Sequence, residues 1–317
     1  MKVAAVQLNS TANKAANLAT ADRLTRAAAA DGARLIVLPE KWSVLGRDDD
    51  LRAGAESLDG PAISWGHELA RELRIDLVAG SIVERRGGAA SIPTPREVGS
   101  GAPAAALANT AVHIDPRGEL RAVYRKLHMF DVEIEGRAYR ESAVTAPGAQ
   151  IVSSVTADGV ELGLAICYDL RFPALFAALA QRGARIVTLP SAFTLPTTRD
   201  HWEILVRARA IENEVFVIAA NQVGAHPGGN RSGGRSLIVD PWGTVLARAA
   251  EGGGSGDDDS IAADGNGRIG EAQIDVHGEG WIAAELDLER QLQIRAQLPV
   301  LEHRRHDVYG PVGGAVA

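Results

Sequence analysis

The sequence is poor in cysteine, which limits its redox chemistry. Cys167 is the only cysteine among 317 residues, so no disulfide can form within one chain. Disulfides are typical of secreted proteins, and the N-terminal stretch MKVAAVQLNS lacks the length and the cleavage pattern of a secretory signal. These absences favour a protein of the reducing cytoplasm.

The chain also lacks a surplus of basic residues and a long apolar run. It has 33 basic and 40 acidic residues, a formal net charge of -7, whereas nonspecific binding to nucleic acid or to anionic membranes requires basic patches. No apolar run approaches the roughly 20 residues of a membrane-spanning helix. The sequence therefore argues against nucleic-acid and membrane partners.

What the sequence does contain is an alternation of strand and helix patterns. Buried strand patterns such as 34–40 and 185–193 alternate with helical periodicity, as in 173–184. The turns DPRG and DPWG each join two strand patterns, over 110–128 and 235–249. This alternation predicts an α/β fold, and the hairpins predict that its sheets are mixed.

Two segments interrupt the alternation. Residues 85–108 and 251–280 are rich in Gly and hold too little apolar surface to offset the entropy of ordering. We therefore expect surface insertions there, and a C-terminal tail from about residue 298. No change of composition divides the chain, which predicts a single domain over 1–317.

Three apolar strands end on groups that can carry chemistry. RLIVLPE ends on Glu40, YRKLH carries Lys126 at its end, and VELGLAIC ends on Cys167. Ligand sites of open α/β sheets gather at the carboxyl ends of strands, so the three side chains could share one pocket. The residues alone leave another interpretation open, namely a core cysteine and two solvated charges. The eight histidines form no metal-ligand pattern.

Signature segments around these three residues resemble the nitrilase superfamily of carbon–nitrogen hydrolases. They are LIVLPEKW (35–42), YRKLHMFD (124–131) and AICYDLRFP (165–173). Similarity to the Nit-type amidase branch extends over 130–148, 189–224, 236–247 and 298–310.

The resemblance implies a four-layer αββα sandwich with two mixed β-sheets, and it implies no cofactor. It also implies a homodimer, with contacts from helix 201–214 and the tail 301–310.

The resemblance also implies catalytic roles. Cys167 would attack an amide carbonyl to form a thioester, and Glu40 would transfer the protons. Lys126 and the backbone N–H of Tyr168 would stabilise the oxyanion, and a cation near the sulfur favours thiolate. Glu141 matches the family's second glutamate, which would orient the lysine and assist the water; a purely structural salt bridge to Lys126 is the alternative.

Substrate-binding residues are implied at Arg171, Phe193 and His128. Arg171 would hold a substrate carboxylate through its planar guanidinium, unless it pairs with Asp169. The implied activity is hydrolysis of an ω-amide of a small carboxylic acid, of the deaminated glutathione or 2-oxoglutaramate type. Segment 194–202 lacks the Thr-Gly loop usual in the relatives. This departure leaves the exact substrate open. The alternative functions are a nitrilase, an N-carbamoyl amino acid hydrolase or a non-catalytic binding protein on the same scaffold.

Overall fold

The computed structural model describes residues 1–87, 107–252, 271–275 and 277–310. The described helices are α1 (Lys14–Ala30), α2 (Asp48–Gly54), α3 (Pro61–Leu73), α4 (Pro173–Gln181), α5 (Leu195–Thr197), α6 (Glu203–Asn213), α7 (Leu288–Gln297) and α8 (His306–Tyr309). The described strands are β1 (Lys2–Gln7), β2 (Leu35–Val37), β3 (Asp76–Arg85), β4 (Leu107–Ile114), β5 (Leu120–Arg125), β6 (Asp131–Ile134), β7 (Arg137–Arg140), β8 (Ser153–Val155), β9 (Glu161–Leu164), β10 (Ile186–Thr188), β11 (Phe216–Ala219), β12 (Val223–Ala225), β13 (Arg231–Gly233), β14 (Leu237–Val239), β15 (Val245–Arg248), β16 (Glu271–Ile274) and β17 (Gly280–Glu285).

Local signals in the sequence account for several helix boundaries. The side chain of Asn13 accepts the Ala16 N–H at 3.2 Å and caps α1. Pro61 and Pro173 occupy the first positions of α3 and α4, where the fixed φ of proline suits a helix and its missing N–H costs nothing.

Most strands belong to two mixed sheets. The strand order is β16-β17-β1-β2-β3-β4-β5 in the first sheet and β15-β14-β11-β10-β9-β8 in the second. Strands β1, β2 and β3 run parallel, as do β9, β10 and β11, while the flanking strands pair antiparallel. The two hairpins predicted from DPRG and DPWG are β4–β5 and β14–β15.

The two sheets pack face to face between helices. On β1, Val3 and Ala5 join the apolar cluster that includes both sheets, whereas Ala4 and Val6 join a second cluster with α1 and α3. This alternation arises because successive side chains of a strand point to opposite faces. Side chains of α4 and α6 cover the outer face of the second sheet. The predicted four-layer αββα sandwich is confirmed.

The two segments predicted as insertions include, at their ends, residues that form strands. Residues 88–106 and 253–270 lie outside the described residues, but Arg85 ends β3, Leu107 begins β4, and 271–274 form β16. Asp275 then accepts the N–H groups of His277 and Glu279 and turns the chain into β17. A single domain over the whole chain stays a prediction.

The sequence patterns do not predict several short elements near the carboxyl ends of the parallel strands. They are α2 and the small two-stranded sheets β6–β7 and β12–β13, which are too short to show a periodic pattern. No helix among the described residues has the length and apolarity to cross a membrane.

Candidate active site

Cys167 lies on a tight turn that follows β9. Its φ is +47°, in the left-handed region that costs a residue other than glycine about 1–3 kcal/mol. The turn is held at both ends: the Cys167 N–H donates to Pro190 O at 2.9 Å, and the Asp169 N–H donates to Ile166 O at 3.0 Å. A 3₁₀ turn over Cys167–Arg171 leads into α4. The thiol is thereby fixed at the rim of the second sheet.

Asp169 ties this turn to the first sheet. The buried carboxylate accepts the Ile166 N–H at 2.9 Å and the Tyr124 hydroxyl at 2.7 Å. Its other oxygen accepts the His128 N–H at 3.2 Å and lies 2.7 Å from His128 Nδ1. Burial and the charge of Asp169 raise the pKa of Tyr124 well above its usual value, so the hydroxyl stays a donor.

Lys126 lies between two carboxylates. Its Nζ is 2.9 Å from Glu40 Oε1 and 2.7 Å from Glu141 Oε2. Asn109 Nδ2 donates to Glu40 Oε1 at 2.7 Å and to Glu141 Oε1 at 2.9 Å. Lys41 Nζ is 3.0 Å from Glu141 Oε1. We call Glu40, Lys41, Lys126 and Glu141 the buried charge cluster.

Opposite charges keep Lys126 and Glu141 ionised although both are buried. Burial by itself disfavours the charged form of Lys126, but Glu141 and Glu40 raise its pKa well above the usual value. Burial likewise opposes the carboxylate of Glu141, but Lys126 and Lys41 hold its pKa far below the usual range. Lys126 therefore stays an ammonium ion and Glu141 stays an anion near neutral pH.

The thiol of Cys167 has the opposite tendency. Burial, followed by the negative charge of Glu40, raises the pKa of Cys167 well above its usual value, and Lys126 offsets this only in part. The thiolate expected from the nearby cation is therefore not the resting form.

These side chains meet in one cavity of about 730 Å³. The cavity is lined by Glu40, Lys126, Glu141 and Cys167 together with Tyr168, Arg171 and Phe193. The Tyr168 N–H lies in the first turn of the 3₁₀ segment, where N–H groups lack an intrahelical partner. Segment 194–202, which lacks the Thr-Gly loop of the relatives, also lines the cavity through Thr194 and Thr197.

Arg171 is held by aromatic faces. Its guanidinium lies 5.5 Å from the ring centroid of Phe193 and 6.0 Å from that of Tyr168, and its Nη2 is 3.3 Å from His201 Nδ1. No described carboxylate lies within ion-pair distance of Arg171, so the alternative pair with Asp169 does not form.

His128 is not brought to the cavity. Its ring bonds to Asp169 and stacks on Phe172 at 3.6 Å between centroids, and among the described residues it is absent from the lining. The hydrogen bonds to buried Asp169 turn the ring away from the space in front of Cys167.

Arginines that sequence interpretation did not single out surround the opening. They come from the start of α2, from the β6–β7 hairpin and from β13, and we call them the mouth: Arg47, Arg137, Arg140 and Arg231. Arg137 donates to the carbonyls of Gly228 and Gly229 and so ties the hairpin to the neighbouring loop.

Sequence interpretation also missed two residues that contact Glu141. Lys41 stands beside Glu40 in LIVLPEKW, and this adjacency was the available signal. Asn109 is fully buried within the apolar strand β4. A buried amide requires hydrogen-bond partners, so a polar residue inside that strand was a usable sign. No described group of His, Cys, Asp or Glu could hold a metal ion.

Comparison with known proteins places this arrangement among characterised relatives. The family model described as carbon-nitrogen hydrolase matches residues 2–255. A deaminated glutathione amidase of Bos taurus is 40% identical over 313 residues, covering 98% of this chain and 84% of that protein. A deaminated glutathione amidase of Synechocystis sp. is 33% identical over 303 residues, covering 95% of this chain and 97% of that protein. The crystal structure of the C. elegans NitFhit protein matches with a TM-score of 0.75 at 33% identity, covering 97% of this chain and 66% of that one.

Proposed function

The chain belongs to the carbon–nitrogen hydrolase family, in the nitrilase superfamily, and from this premise we propose that it is an ω-amidase of the deaminated glutathione amidase type. It would cleave the side-chain amide of a small carboxylic acid through a thioester on Cys167. The relatives that cover nearly the whole chain are named deaminated glutathione amidases, which supports this substrate class.

The observation that carries the proposal is the meeting of a thiol, a carboxylate and an ammonium group in one cavity. Cys167, Glu40 and Lys126 end separate strands in two different sheets and line the same space. Because the pKa of the buried thiol is raised, a base must remove its proton at the moment of attack. Glu40 is the proposed base, because it lines the same cavity as Cys167 and its charge acts on the thiol.

In the first half-reaction Cys167 Sγ attacks the amide carbonyl carbon while Glu40 takes the thiol proton. The tetrahedral oxyanion accepts hydrogen bonds from Lys126 Nζ and from the Tyr168 N–H. Glu40 then gives its proton to the leaving nitrogen, the C–N bond breaks, and ammonia or an amine departs. The product that stays bound is the thioester.

In the second half-reaction Glu40 takes a proton from water, and the resulting hydroxide attacks the thioester carbonyl. Lys126 and the Tyr168 N–H hold the oxyanion again, and Glu40 returns the proton to the departing sulfur. The free carboxylic acid leaves with the thiol restored. Glu141 orients Lys126 throughout, since its Oε2 lies 2.7 Å from Lys126 Nζ.

Positive charge in the cavity supports an acidic substrate. Arg171 has no carboxylate partner among the described residues, and it lies on the aromatic faces of Phe193 and Tyr168. A guanidinium held in this way can bind a carboxylate with two parallel hydrogen bonds. The four arginines of the mouth add charge of the same sign and outnumber Asp48 and Asp49, the aspartates that line the cavity beside Arg47.

A panel of substrates tests the proposal against its alternatives. Deaminated glutathione, 2-oxoglutaramate, a nitrile and an N-carbamoyl amino acid should be incubated with the protein and assayed for released ammonia or amine. We expect turnover of the two ω-amides. Turnover of the nitrile or the carbamoyl compound alone would assign one of the other activities of this scaffold, and no turnover of any compound would favour a binding protein.

We further propose a homodimer that works in the cytoplasm. Large apolar side chains are exposed on α6 and in the tail, where the resemblance implies contacts: Ile204 at 70%, Ile211 at 45% and Val308 at 68% exposure. Solvent-exposed apolar side chains in neighbouring elements are typical of association surfaces. Light scattering at micromolar concentration should give the mass of two chains, and a monomer would contradict the proposal.

A further inference from the structure

Lys41 is a second cation of the buried charge cluster that the proposed reaction does not use. Its Nζ lies 3.0 Å from Glu141 Oε1, and its side chain is 12% exposed. Consecutive side chains of an extended chain point to opposite sides, yet Glu40 and Lys41 both reach this cluster. The backbone permits this because Lys41 adopts a φ of +51°, with its N–H donating to Ser81 Oγ at 3.0 Å.

We propose that Lys41 is a positioning residue that keeps Glu141 an anion, so that Glu141 holds Lys126 in place and does not act as a proton acceptor. This inference rests on the proposed function, because it assigns Lys126 to the oxyanion.

The hydrogen bonds around Glu141 carry the argument. Oε1 accepts Asn109 Nδ2 at 2.9 Å and contacts Lys41 Nζ at 3.0 Å, while Oε2 contacts Lys126 Nζ at 2.7 Å and accepts the Phe130 N–H at 3.0 Å. A carboxylate has about four acceptor positions, and four donors already occupy them. No direction is left from which a catalytic water could give Glu141 a proton.

The charge balance explains why Lys41 is needed. The buried charge cluster contains two carboxylates and two ammonium groups, and the neighbouring thiol is neutral because its pKa is raised. Without Lys41 the cluster would carry an uncompensated negative charge, which is costly in a buried site. It would then take up a proton more readily, and a protonated Glu141 would release Lys126 toward Glu40.

Several charged or titratable groups act on Glu141 from the elements around it. They are Lys41 after β2, Lys126 after β5, Asp131 in β6, Glu40, which shares Lys126 and Asn109 with Glu141, and Cys167, which interacts with Lys126. Only Lys41 and Lys126 are cations among them, so replacing Lys41 removes half of the positive charge.

The test compares Lys41→Met, which removes the charge, with Lys41→Arg, which keeps it. In Lys41→Met the pKa of Glu141 should rise by roughly 1–3 units, since Glu141 loses an opposite charge at ion-pair distance. The acid limb of the kcat/KM profile should then move to higher pH, because a protonated Glu141 releases Lys126. Lys41→Arg should leave the limb near that of the unsubstituted protein. Lys14→Met is the matched control, because Lys14 pairs with Glu56 and does not line the cavity.

A second measurement needs no substrate and so separates this inference from the proposed function. With ¹³C-labelled glutamate carboxyls and Glu141→Gln to assign the resonance, Glu141 should stay ionised down to acid unfolding in the unsubstituted protein. It should begin to titrate within the folded range in Lys41→Met. The same titration in both proteins would overturn the inference, even if amidase activity is found. Lys41→Gln gives the same comparison if Lys41→Met does not fold, and absence of amide turnover would reject the proposed function alone.

Discussion

The inner end and the mouth of the cavity are built by different means. At the inner end the buried charge cluster is held by direct ion pairs of 2.7–3.0 Å. Three of its side chains follow strands of the first sheet, and Glu141 begins the 3₁₀ turn after β7. At the mouth, Arg137, Arg140 and Arg231 are exposed and belong to two small two-stranded sheets. Arg137 and Arg140 donate to backbone carbonyls, and no described carboxylate pairs with any of the three.

The difference indicates a division of work. Charges that are buried and mutually paired keep one arrangement and one ionisation state, which acid–base and oxyanion chemistry requires. Exposed guanidinium groups interact with a ligand through solvent-screened charge, which favours capture over chemistry. Substitutions at the inner end should therefore lower kcat strongly, and those at the mouth should weakly raise KM.

The largest effect is expected from Cys167→Ala. The substitution removes the atom that we propose forms the thioester, and the chain has no second cysteine. Turnover should fall to background, a loss of roughly 10⁵-fold or more, with a melting temperature close to that of the unsubstituted protein. Stopped assays over hours measure the residual rate. Activity above a trace would contradict covalent catalysis by Cys167. It would also contradict the assignment of the chemistry to the inner end of the cavity.

Glu40→Gln should have the next largest effect. The amide has nearly the same shape and keeps an oxygen for Lys126 and Asn109, but it cannot take the thiol proton. Loss of a general base costs about 10²–10⁴-fold in rate, and we expect this loss in kcat with little change in KM. A tenfold loss or less would assign the base elsewhere.

The same variant predicts a change in pH dependence. Burial and then the charge of Glu40 raise the pKa of Cys167, and Lys126 lowers it. Removing the charge of Glu40 leaves Lys126 in place, so the pKa of the thiol should fall. Alkylation by iodoacetamide, followed by mass spectrometry, should therefore begin at lower pH in Glu40→Gln. An unchanged or more alkaline profile would show that Glu40 does not act on the thiol.

Arg171→Lys should have an intermediate effect, since Arg171 lies between the two regions. Lysine keeps the charge but loses the planar guanidinium, and one charge-assisted hydrogen bond contributes about 1.5–3 kcal/mol. The loss in kcat/KM should be roughly ten- to more than a hundredfold for ω-amides with a free acid, and small for their methyl esters. Equal losses on both substrates in a stably folded variant would reject the carboxylate contact.

The smallest effect is expected at the mouth, from Arg231→Met. Exposed charges contribute about 0.2–1 kcal/mol, so kcat/KM should fall by about threefold through KM and the difference should vanish at high salt. Arg23→Met on α1 is the control, because Arg23 is an exposed arginine outside the cavity lining. A large loss of kcat in Arg231→Met would mean that the mouth takes part in the chemistry.

Local patterns were sufficient for the α/β alternation and for three strand-end positions that the structure brings into one cavity. Glu40, Lys126 and Cys167 each follow a strand. A polar residue after a strand pattern can be identified from the sequence without knowing which other strands lie beside it. The hairpins at DPRG and DPWG are similarly local, because turn residues specify them. The second sheet's packing on the first followed from the family resemblance and is confirmed.

Side chains in turns depended on the tertiary structure. His128 was expected in the cavity and Lys41 was not considered, although each lies within two residues of a strand-end group that was predicted. Buried Asp169 binds His128 and turns it away, and a positive φ at Lys41 sends its side chain toward Glu141. A sequence pattern cannot indicate either side-chain position, because each depends on a partner from another element of the fold.

The sequence by itself therefore determined which strands carry polar groups at their ends, because hydrophobic alternation and turn residues are local properties. Only the tertiary structure decided which of those groups meet and in what ionisation state. Glu141 is anionic because Lys126 and Lys41 approach it from different strand ends, and the thiol of Cys167 stays protonated because it is buried beside Glu40. Ionisation in a buried site depends on distances between elements that the chain brings together only on folding.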